Sequence, residues 1–130
     1  MADFIFSNSM LMLERSMGFQ WTKQRAILDN IANAETPNYK AKYVTFEETF
    51  NARLQATAKD GRPVAGMRGV IRGASPVVHT AQNETARMDG NGVNVAEQQM
   101  EMVRNAYQMQ YVLNAINSDF ALLRSAIRGQ

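Results

Sequence analysis

The single histidine and a few scattered carboxylates are the residues that could do acid–base or metal chemistry in this chain. His79 is the only histidine among 130 residues, and the chain has no cysteine. Nothing in the sequence organises a Ser/His/Asp triad or a histidine metal site around it, which is typical of a surface or loop histidine. Glu97, Glu101 and Asp119 follow no metal-ligand spacing such as Glu-x-x-His. The sequence therefore predicts no catalytic residue and no metal ligand.

A glycine-flanked run at residues 66–69 is the other feature that could hold a ligand. It lacks the Gly-Lys-Ser/Thr continuation by which a phosphate-binding loop grips a nucleotide. We therefore predict no cofactor-binding residue, no cofactor and no enzymatic activity.

The composition and net charge indicate which classes of binding partner to expect. The chain has 14 basic and 12 acidic residues, a net charge of +2, and 45% apolar residues. The basic surplus is too small to predict nucleic-acid binding. No run approaches the roughly 18 apolar residues of a membrane span, and no direct lipid binding is predicted. Residues 1–6 lack a basic region and a long apolar run, so we expect no cleaved signal peptide.

Two heptad stripes, one towards each end, are the strongest pattern in the sequence. Each steps by alternating fours and threes, which places its members along one seam of an α-helix. The first stripe is Phe6, Met10, Leu13, Met17, Gln20, Gln24, Ile27 and Ile31. The second is Met102, Ala106, Met109, Leu113, Ile116, Phe120, Leu123 and Ile127. We expect the two helices to pair as an antiparallel coiled coil; the simpler alternative is the core of a small helical domain.

The stripes fix the expected fold as mainly α, with long terminal helices and a loop-rich middle that holds at most short strands. The first helix is expected from residue 7 or 9 to residue 33, and the second from residue 95 to residue 127. Phe46, Phe50 and Leu54 step by four and predict a short helix. Residues 57–92 lack sustained periodicity, and residues 70–71 and 76–80 are expected to be short strands or extended arms. The expected units are residues 1–40, 41–92 and 93–130.

Three aromatic residues beside the stripes are candidate contacts with other subunits. Tyr107 and Tyr111 lie one helical turn apart next to the second stripe, and Trp21 widens the apolar side of the first helix. In an isolated domain they would be partly exposed, whereas in an assembly they would anchor neighbouring chains.

The segment that should end the first helix carries a recognisable motif. It closely resembles the N-terminal signature of the bacterial flagellar rod and hook proteins, which reads Asn-Ile-Ala-Asn-Ala-x-Thr-Pro-Gly-Tyr-Lys. The matching positions are Asn30, Ile31, Ala32, Asn33, Ala34, Thr36, Pro37, Tyr39 and Lys40. Asn38 replaces the glycine. Because asparagine tolerates left-handed geometry, we predict a positive φ at Asn38.

The C-terminal half extends the resemblance. Residues 92–102 are similar to the family's entry into its C-terminal helix, and residues 120–127 look most like one of its two proximal-rod subunits. The other, sister proximal-rod subunit is the alternative within the family. The resemblance covers about residues 10–50 and 90–128.

The resemblance implies a structural subunit of the basal-body rod. Members of this family pair their terminal helices in an inner coiled-coil domain and stack helically with copies of themselves and other rod proteins. They are exported without a cleaved signal peptide by the flagellar type III apparatus. A proximal-rod member would lie in the periplasmic space, meet the export gate and MS ring, transmit torque and line the export channel. The alternative outside the family is an export-substrate adaptor or chaperone with a coiled-coil binding face.

Overall fold

A computed structural model describes residues 8–46, 55, 63–82 and 87–129. Its elements in chain order are helix α1 (Asn8–Ala32), strand β1 (Lys42–Thr45), helix α2 (Pro63–Gly73), strand β2 (Val77–Thr80) and helix α3 (Val95–Arg128). This architecture confirms the expected fold class, because long helices stand at both ends and short strands lie between them.

Helices α1 and α3 lie side by side and run antiparallel. Near the start of α1, the Ser9 hydroxyl donates to a carboxylate oxygen of Asp119 at 3.1 Å. Near its end, the Asn30 side chain donates to the side-chain oxygen of Gln98 at 2.9 Å. Residue numbers rise along α1 as the numbers of their partners fall along α3, so the predicted antiparallel direction is confirmed.

Local signals set the ends of α3. The side-chain oxygen of Asn94 accepts from the backbone N–H of Glu97, which satisfies one of the amides that a helix start leaves without an intrahelical partner. At the other end, Gly129 adopts φ 69°, and its N–H donates to the Ser125 carbonyl. A left-handed glycine after the last turn is a common helix stop.

A second packing layer covers one flank of α1. Phe46, Ile71 and Ala74 form a buried cluster there. The partly buried side chains around it are Leu11, Met12, Phe19 and Met67. The rings of Phe19 and Phe46 lie 5.1 Å apart. The cluster thus joins α1, α2 and the residue after β1.

Helix α2 corrects the sequence prediction for this region. Residues 70–71 were expected to be extended, but both lie inside Pro63–Gly73. Met67, Val70 and Ile71 recur at helical spacing, and Ile71 is buried against α1. Burying this apolar side offsets the roughly 1 kcal/mol that each interior glycine costs relative to alanine.

Strands β1 and β2 form an antiparallel pair in the middle of the chain, with Tyr43 opposite His79. The two rings stack 5.1 Å apart, and His79 Nε2 lies 2.8 Å from the Thr45 hydroxyl oxygen. The expected extended segment at residues 76–80 is confirmed as β2. The predicted short helix starting at Phe46 lies outside the described residues apart from Phe46 itself, which is buried.

In the first predicted stripe, Gln20 and Gln24 accept hydrogen bonds from Asn105 of α3. Met10, Gln20 and Ile27 are buried, Leu13, Met17, Gln24 and Ile31 are half-buried, and Phe6 lies outside the described residues. In the second stripe, Met102, Met109, Ile116 and Leu123 are half-buried, whereas Ala106, Leu113, Phe120 and Ile127 are exposed.

Helix α1 does not cover those last four residues, which corrects that half of the predicted seam. The buried positions are Asn105 and Val112, one residue before Ala106 and Leu113. One residue is about 100° of helix rotation, so this displacement turns Leu113 out of the contact. The Asn105 side chain donates to the Gln20 carbonyl at 3.2 Å, and this polar contact fixes the rotation of α3 about its axis.

Candidate functional site

The candidate site is the turn after α1, where the signature residues meet β1 and the start of α3. In the part of the chain that the structure describes, no group of three or more His, Asp or Glu side chains could hold a metal ion. Within the same residues, no helix has the length and apolar character needed to cross a membrane.

Asn30 is the centre of this site and has no exposed surface. Its amide nitrogen donates to the Lys42 carbonyl at 2.7 Å and to the Gln98 side-chain oxygen at 2.9 Å. Its oxygen accepts from the Lys42 N–H at 2.7 Å and from the Tyr39 hydroxyl at 3.4 Å. The amide thus uses both donors and both lone pairs, and one side chain ties α1, β1 and α3 together.

Asn91 holds the same turn from the other side and is 1% exposed. Its amide nitrogen donates to the Asn33 carbonyl at 3.0 Å and to the Thr36 carbonyl at 2.7 Å. Its oxygen accepts from the Val93 N–H at 2.8 Å. Asn91 was not predicted from the sequence. An asparagine just before a helix in a glycine-containing segment was the only signal available.

The regular backbone hydrogen bonds of α1 end at Ala32. In the turn that follows, hydrogen bonds between nearby residues replace them. The Asn33 side chain donates to the Asp29 carbonyl at 2.8 Å, and the Thr36 hydroxyl donates to the Asn33 side-chain oxygen at 3.2 Å. Pro37 then disfavours helical geometry at the residue before it. The signature therefore encodes both the end of α1 and the path of the chain towards β1.

Asn38 has φ 59°, which confirms the predicted positive φ. Its backbone N–H donates to the Asp89 carbonyl at 3.1 Å. Gly90 lies against it with φ 77°, and a Cβ at Gly90 would collide with the side-chain oxygen of Asn38. Two left-handed residues from distant parts of the chain therefore pack together, and only the second of them has to be glycine.

The remaining signature positions divide between packing and exposure. Ala34 is buried with Ala41 and Val93, and Tyr39 packs against them. Ile31, Asn33 and Tyr39 are half-buried, whereas Ala32, Thr36, Pro37 and Lys40 are exposed. Thr36 acts through its hydroxyl and carbonyl hydrogen bonds and Pro37 through backbone geometry, which explains why exposed residues belong to the motif.

Ion pairs flank the site, and two of them involve residues of α1. The Lys42 ammonium lies 3.2 Å from an Asp29 carboxylate oxygen, and the hydrogen bond to Asp29 raises the pKa of Lys42. The Lys23 ammonium lies 2.9 Å from Glu101 and lowers the pKa of that carboxyl, an effect that burial opposes. Lys23 and Glu101 reach across from α1 to α3, so this pair adds to the contact between the helices.

Comparison with known proteins identifies the family of this chain. No family model matches it. It is 31% identical over 129 residues to the flagellar basal body rod protein FlgB of Bacillus subtilis, covering 96% of this chain and 97% of that protein. The chain belongs to the FlgB family. FlgB of Cereibacter sphaeroides is 33% identical over 118 residues, covering 84% of this chain and 85% of that protein. FlgB of Aeromonas hydrophila is 28% identical over 112 residues, 83% of each chain.

The resemblance to flagellar rod and hook proteins is thereby confirmed, and these relatives are FlgB proteins. The sister proximal-rod subunit and the export adaptor or chaperone are not favoured. The match to FlgB of Bacillus subtilis covers nearly the whole chain and therefore includes the described signature turn and both long helices.

The three candidate subunit contacts of this FlgB-family chain are all exposed, but they do not share one surface. Trp21 is 60% exposed on α1, and Tyr107 and Tyr111 are 71% and 76% exposed on α3. Asn105 faces α1, and Tyr107 lies two residues, or about 200° of rotation, further on. The tyrosines therefore point away from α1, on a different side of the molecule from Trp21.

Proposed function

We propose that this chain is a structural subunit of the proximal rod of the bacterial flagellar basal body. The alignment with FlgB proteins along nearly the whole chain carries this proposal. The chain assembles helically with copies of itself and with other rod proteins. It transmits torque and lines the protein-export channel, and it performs no catalysis.

The geometry of the signature turn suits a subunit that transmits mechanical force. Asn30 is fully hydrogen-bonded and joins α1, β1 and α3. Asn91 joins the end of α1 to the segment before α3. Buried amide networks whose members are satisfied hold elements in one arrangement, because every displacement leaves a polar atom without a partner. The two long helices are therefore rigidly linked at this end.

We further propose where the subunit lies in the basal body and which components it meets. The subunit lies in the periplasmic part of the basal body and meets the export gate and MS ring at the base of the rod. It reaches that position through the flagellar type III export apparatus without a cleaved signal peptide. Residues 1–40 and 93–130 form its inner coiled-coil domain, and residues 41–92 contact neighbouring chains or rings.

Deletion and imaging test the proposal. We expect cells without the gene to build no rod and to be non-motile, and the plasmid-borne gene to restore both. An electron-microscopy map of purified basal bodies should let the chain be traced in the proximal rod. Complete rods in the deletion strain, or a map in which the proximal rod excludes this chain, would refute the proposal.

A further inference from the structure

Asn91 is followed by Gly92, and the chain contains no other Asn-Gly pair. Asparagine is a chemically labile residue. It loses its side-chain amide most readily before glycine, because glycine has no Cβ to hinder the approach of its own backbone nitrogen. The pair lies in the segment that closes the signature turn, shortly before α3 begins.

The reaction that threatens this pair needs only water. The backbone nitrogen of Gly92 gives up its proton to solvent base and attacks Cγ of Asn91. A nitrogen–carbon bond forms, the bond from Cγ to the amide nitrogen breaks, and ammonia leaves with a proton that solvent returns. Water then opens the resulting succinimide ring at either of its carbonyls. The products are aspartate and isoaspartate, in which the main chain runs through the side-chain carbon, and no oxidant or reductant takes part.

The closed turn blocks each part of this reaction. Asn91 is 1% exposed, so solvent does not reach its Cγ. The N–H of Gly92 donates to the Tyr39 carbonyl at 3.0 Å, which keeps its proton from solvent base. The Asn91 amide nitrogen is held by two carbonyls of the turn at 3.0 and 2.7 Å, and its oxygen by the Val93 N–H at 2.8 Å. Attack on Cγ requires the amide to leave all of these partners.

The fold does not require glycine at position 92. Gly90 has φ 77°, whereas Gly92 does not adopt a positive φ. A Cβ at Gly92 would lie 3.8 Å from the Tyr39 carbonyl oxygen, which is an ordinary van der Waals contact. Alanine therefore fits at position 92, and this substitution separates the chemical lability of the pair from its place in the fold.

Neither product of the reaction fits the closed turn. Aspartate would present a carboxylate oxygen to the Asn33 and Thr36 carbonyls, where the amide now donates at 3.0 and 2.7 Å. The Asp89 carboxylate accepts from the Asn91 backbone N–H at 3.0 Å, so the new carboxylate would also lie close to a like charge. Isoaspartate adds a carbon to the main chain as well and displaces the entry into α3.

We propose that Asn91–Gly92 is a spontaneous deamidation site that the closed turn protects. A chain whose turn is closed keeps Asn91, whereas a chain whose turn stays open converts it and then cannot close the turn. Because water does not reverse the conversion, the fraction converted records how long the turn has been open. This inference goes beyond the rod assignment and does not depend on it.

Peptide mapping of the purified chain tests the protection. The chain is incubated in mildly alkaline buffer with and without guanidinium chloride, and trypsin then releases residues 88–104, which Arg87 and Arg104 bound. Mass spectrometry with fragment-ion sequencing measures deamidation at Asn91. A synthetic peptide of residues 88–104 corrects for the effect of the denaturant on the reaction. We expect the denatured chain to convert as fast as the peptide and the native chain to convert at least about tenfold more slowly, because a buried group reacts only through local opening.

Gly92→Ala tests the identity of the attacking nitrogen. In denaturant it should slow the conversion by about tenfold, because the added Cβ hinders the attack. The matched control Gly69→Ala adds the same methyl group where nothing lies within 4 Å, and it should convert like the wild type. If Gly92→Ala converts as fast as the wild type, the assignment is overturned. The denatured sample needs no folding, so it decides this point whatever the stability of the variant.

The fate of the product is measured on the wild-type chain. Ion-exchange chromatography separates deamidated from intact chains after the denaturant is removed, because each conversion adds a negative charge. Deamidated chains should unfold at a lower guanidinium concentration than intact chains, and Asn91→Asp should behave like those that carry aspartate. Equal midpoints would overturn the claim that the products prevent closure. Equal corrected rates in native and denatured chains would overturn the protection itself, and neither result would bear on the rod assignment.

Discussion

The side chains of Asn30 and Gln98 are joined by a 2.9 Å hydrogen bond that spans 68 residues of sequence. This bond links the signature motif to the first turn of α3, and the same Asn30 amide holds both backbone groups of Lys42. The signature is therefore the point at which the end of α1, the start of β1 and the start of α3 are fixed relative to one another.

Asn30→Ala should lower the free energy of unfolding by about 2–4 kcal/mol, because it leaves the Lys42 N–H and carbonyl without their partner in a buried site. Urea denaturation of the purified chain, followed by circular dichroism, measures this loss. The control Asn114→Ala removes an exposed amide from α3 and should change stability by less than about 0.5 kcal/mol. Equal effects of the two substitutions would contradict the role of Asn30.

Asn38 and Gly90 should show coupled effects on stability. Asn38→Gly is expected to be tolerated, whereas Asn38→Val should cost about 1–2 kcal/mol, because a β-branched side chain resists a φ of 59°. Gly90→Ala should destabilise through its own positive φ and through the collision with the Asn38 side chain. The double variant Asn38→Gly/Gly90→Ala should recover part of the Gly90→Ala loss. Strict additivity in a double-mutant cycle would exclude the contact.

Gln20 and Gln24 should respond oppositely to the same substitution. The side-chain oxygen of Gln20 is buried and has no hydrogen-bond partner among the described residues, whereas that of Gln24 accepts from Asn105 at 2.8 Å. Gln20→Met therefore removes an unsatisfied group and should raise stability by about 1 kcal/mol, while Gln24→Met should lower it by a similar amount. Thermal melts of both variants test the difference. Shifts of the same sign would show that the Asn105 contact does not distinguish them.

Val112 and Leu113 are neighbours whose replacement by aspartate should have different outcomes. Val112 is 8% exposed between the helices, so Val112→Asp buries a charge and should cost more than about 3 kcal/mol. Leu113 is 49% exposed, so Leu113→Asp should leave the melting temperature of the monomer within a few degrees of wild type. We expect it to impair swimming, because it places a charge at an exposed apolar position of α3. If Leu113→Asp unfolds the monomer, Leu113 is buried against α1, as the heptad pattern predicted.

Stability should fall in acid partly through Glu101. The hydrogen bond from Lys23 lowers the native pKa of the Glu101 carboxyl below its usual 4.5. A lowered native pKa gives stability that is present above the unfolded pKa and is lost as the pH falls through the native pKa. The wild type should therefore lose about 0.2–1 kcal/mol more than Glu101→Gln between about pH 6 and about pH 3. Glu97→Gln removes a charge from the same helix without touching Lys23 and should keep the wild-type loss.

Heptad spacing was sufficient to predict both long helices, because apolar periodicity is a property of each helix alone. Their antiparallel direction was expected from the matched stripes together with the resemblance to the flagellar family. Spacing could not predict the rotation of α3 about its axis, because this rotation depends on Asn105. A pattern built from apolar residues does not include a polar side chain. Helix α2 was missed because its glycines look like loop residues until Ile71 is seen packed against α1.

The site was predictable only in part. The motif predicted the left-handed Asn38, whereas Asn91 was missed, since no local pattern in sequence identifies a partner that acts across more than fifty residues.

The bonds from Asn91 also impose an order on folding. Asn33 and Thr36 precede their common partner by 58 and 55 residues, so they leave the ribosome well before it does. At about 5–20 residues per second, this delay is roughly 3–12 seconds. During that interval the Asn33 and Thr36 carbonyls can have only their local partners, the N–H groups of Thr36 and Tyr39, and α1 lacks the element that fixes its exit. A chain truncated before residue 91 never receives that partner, so closure of the turn requires that the chain has been made at least as far as Asn91.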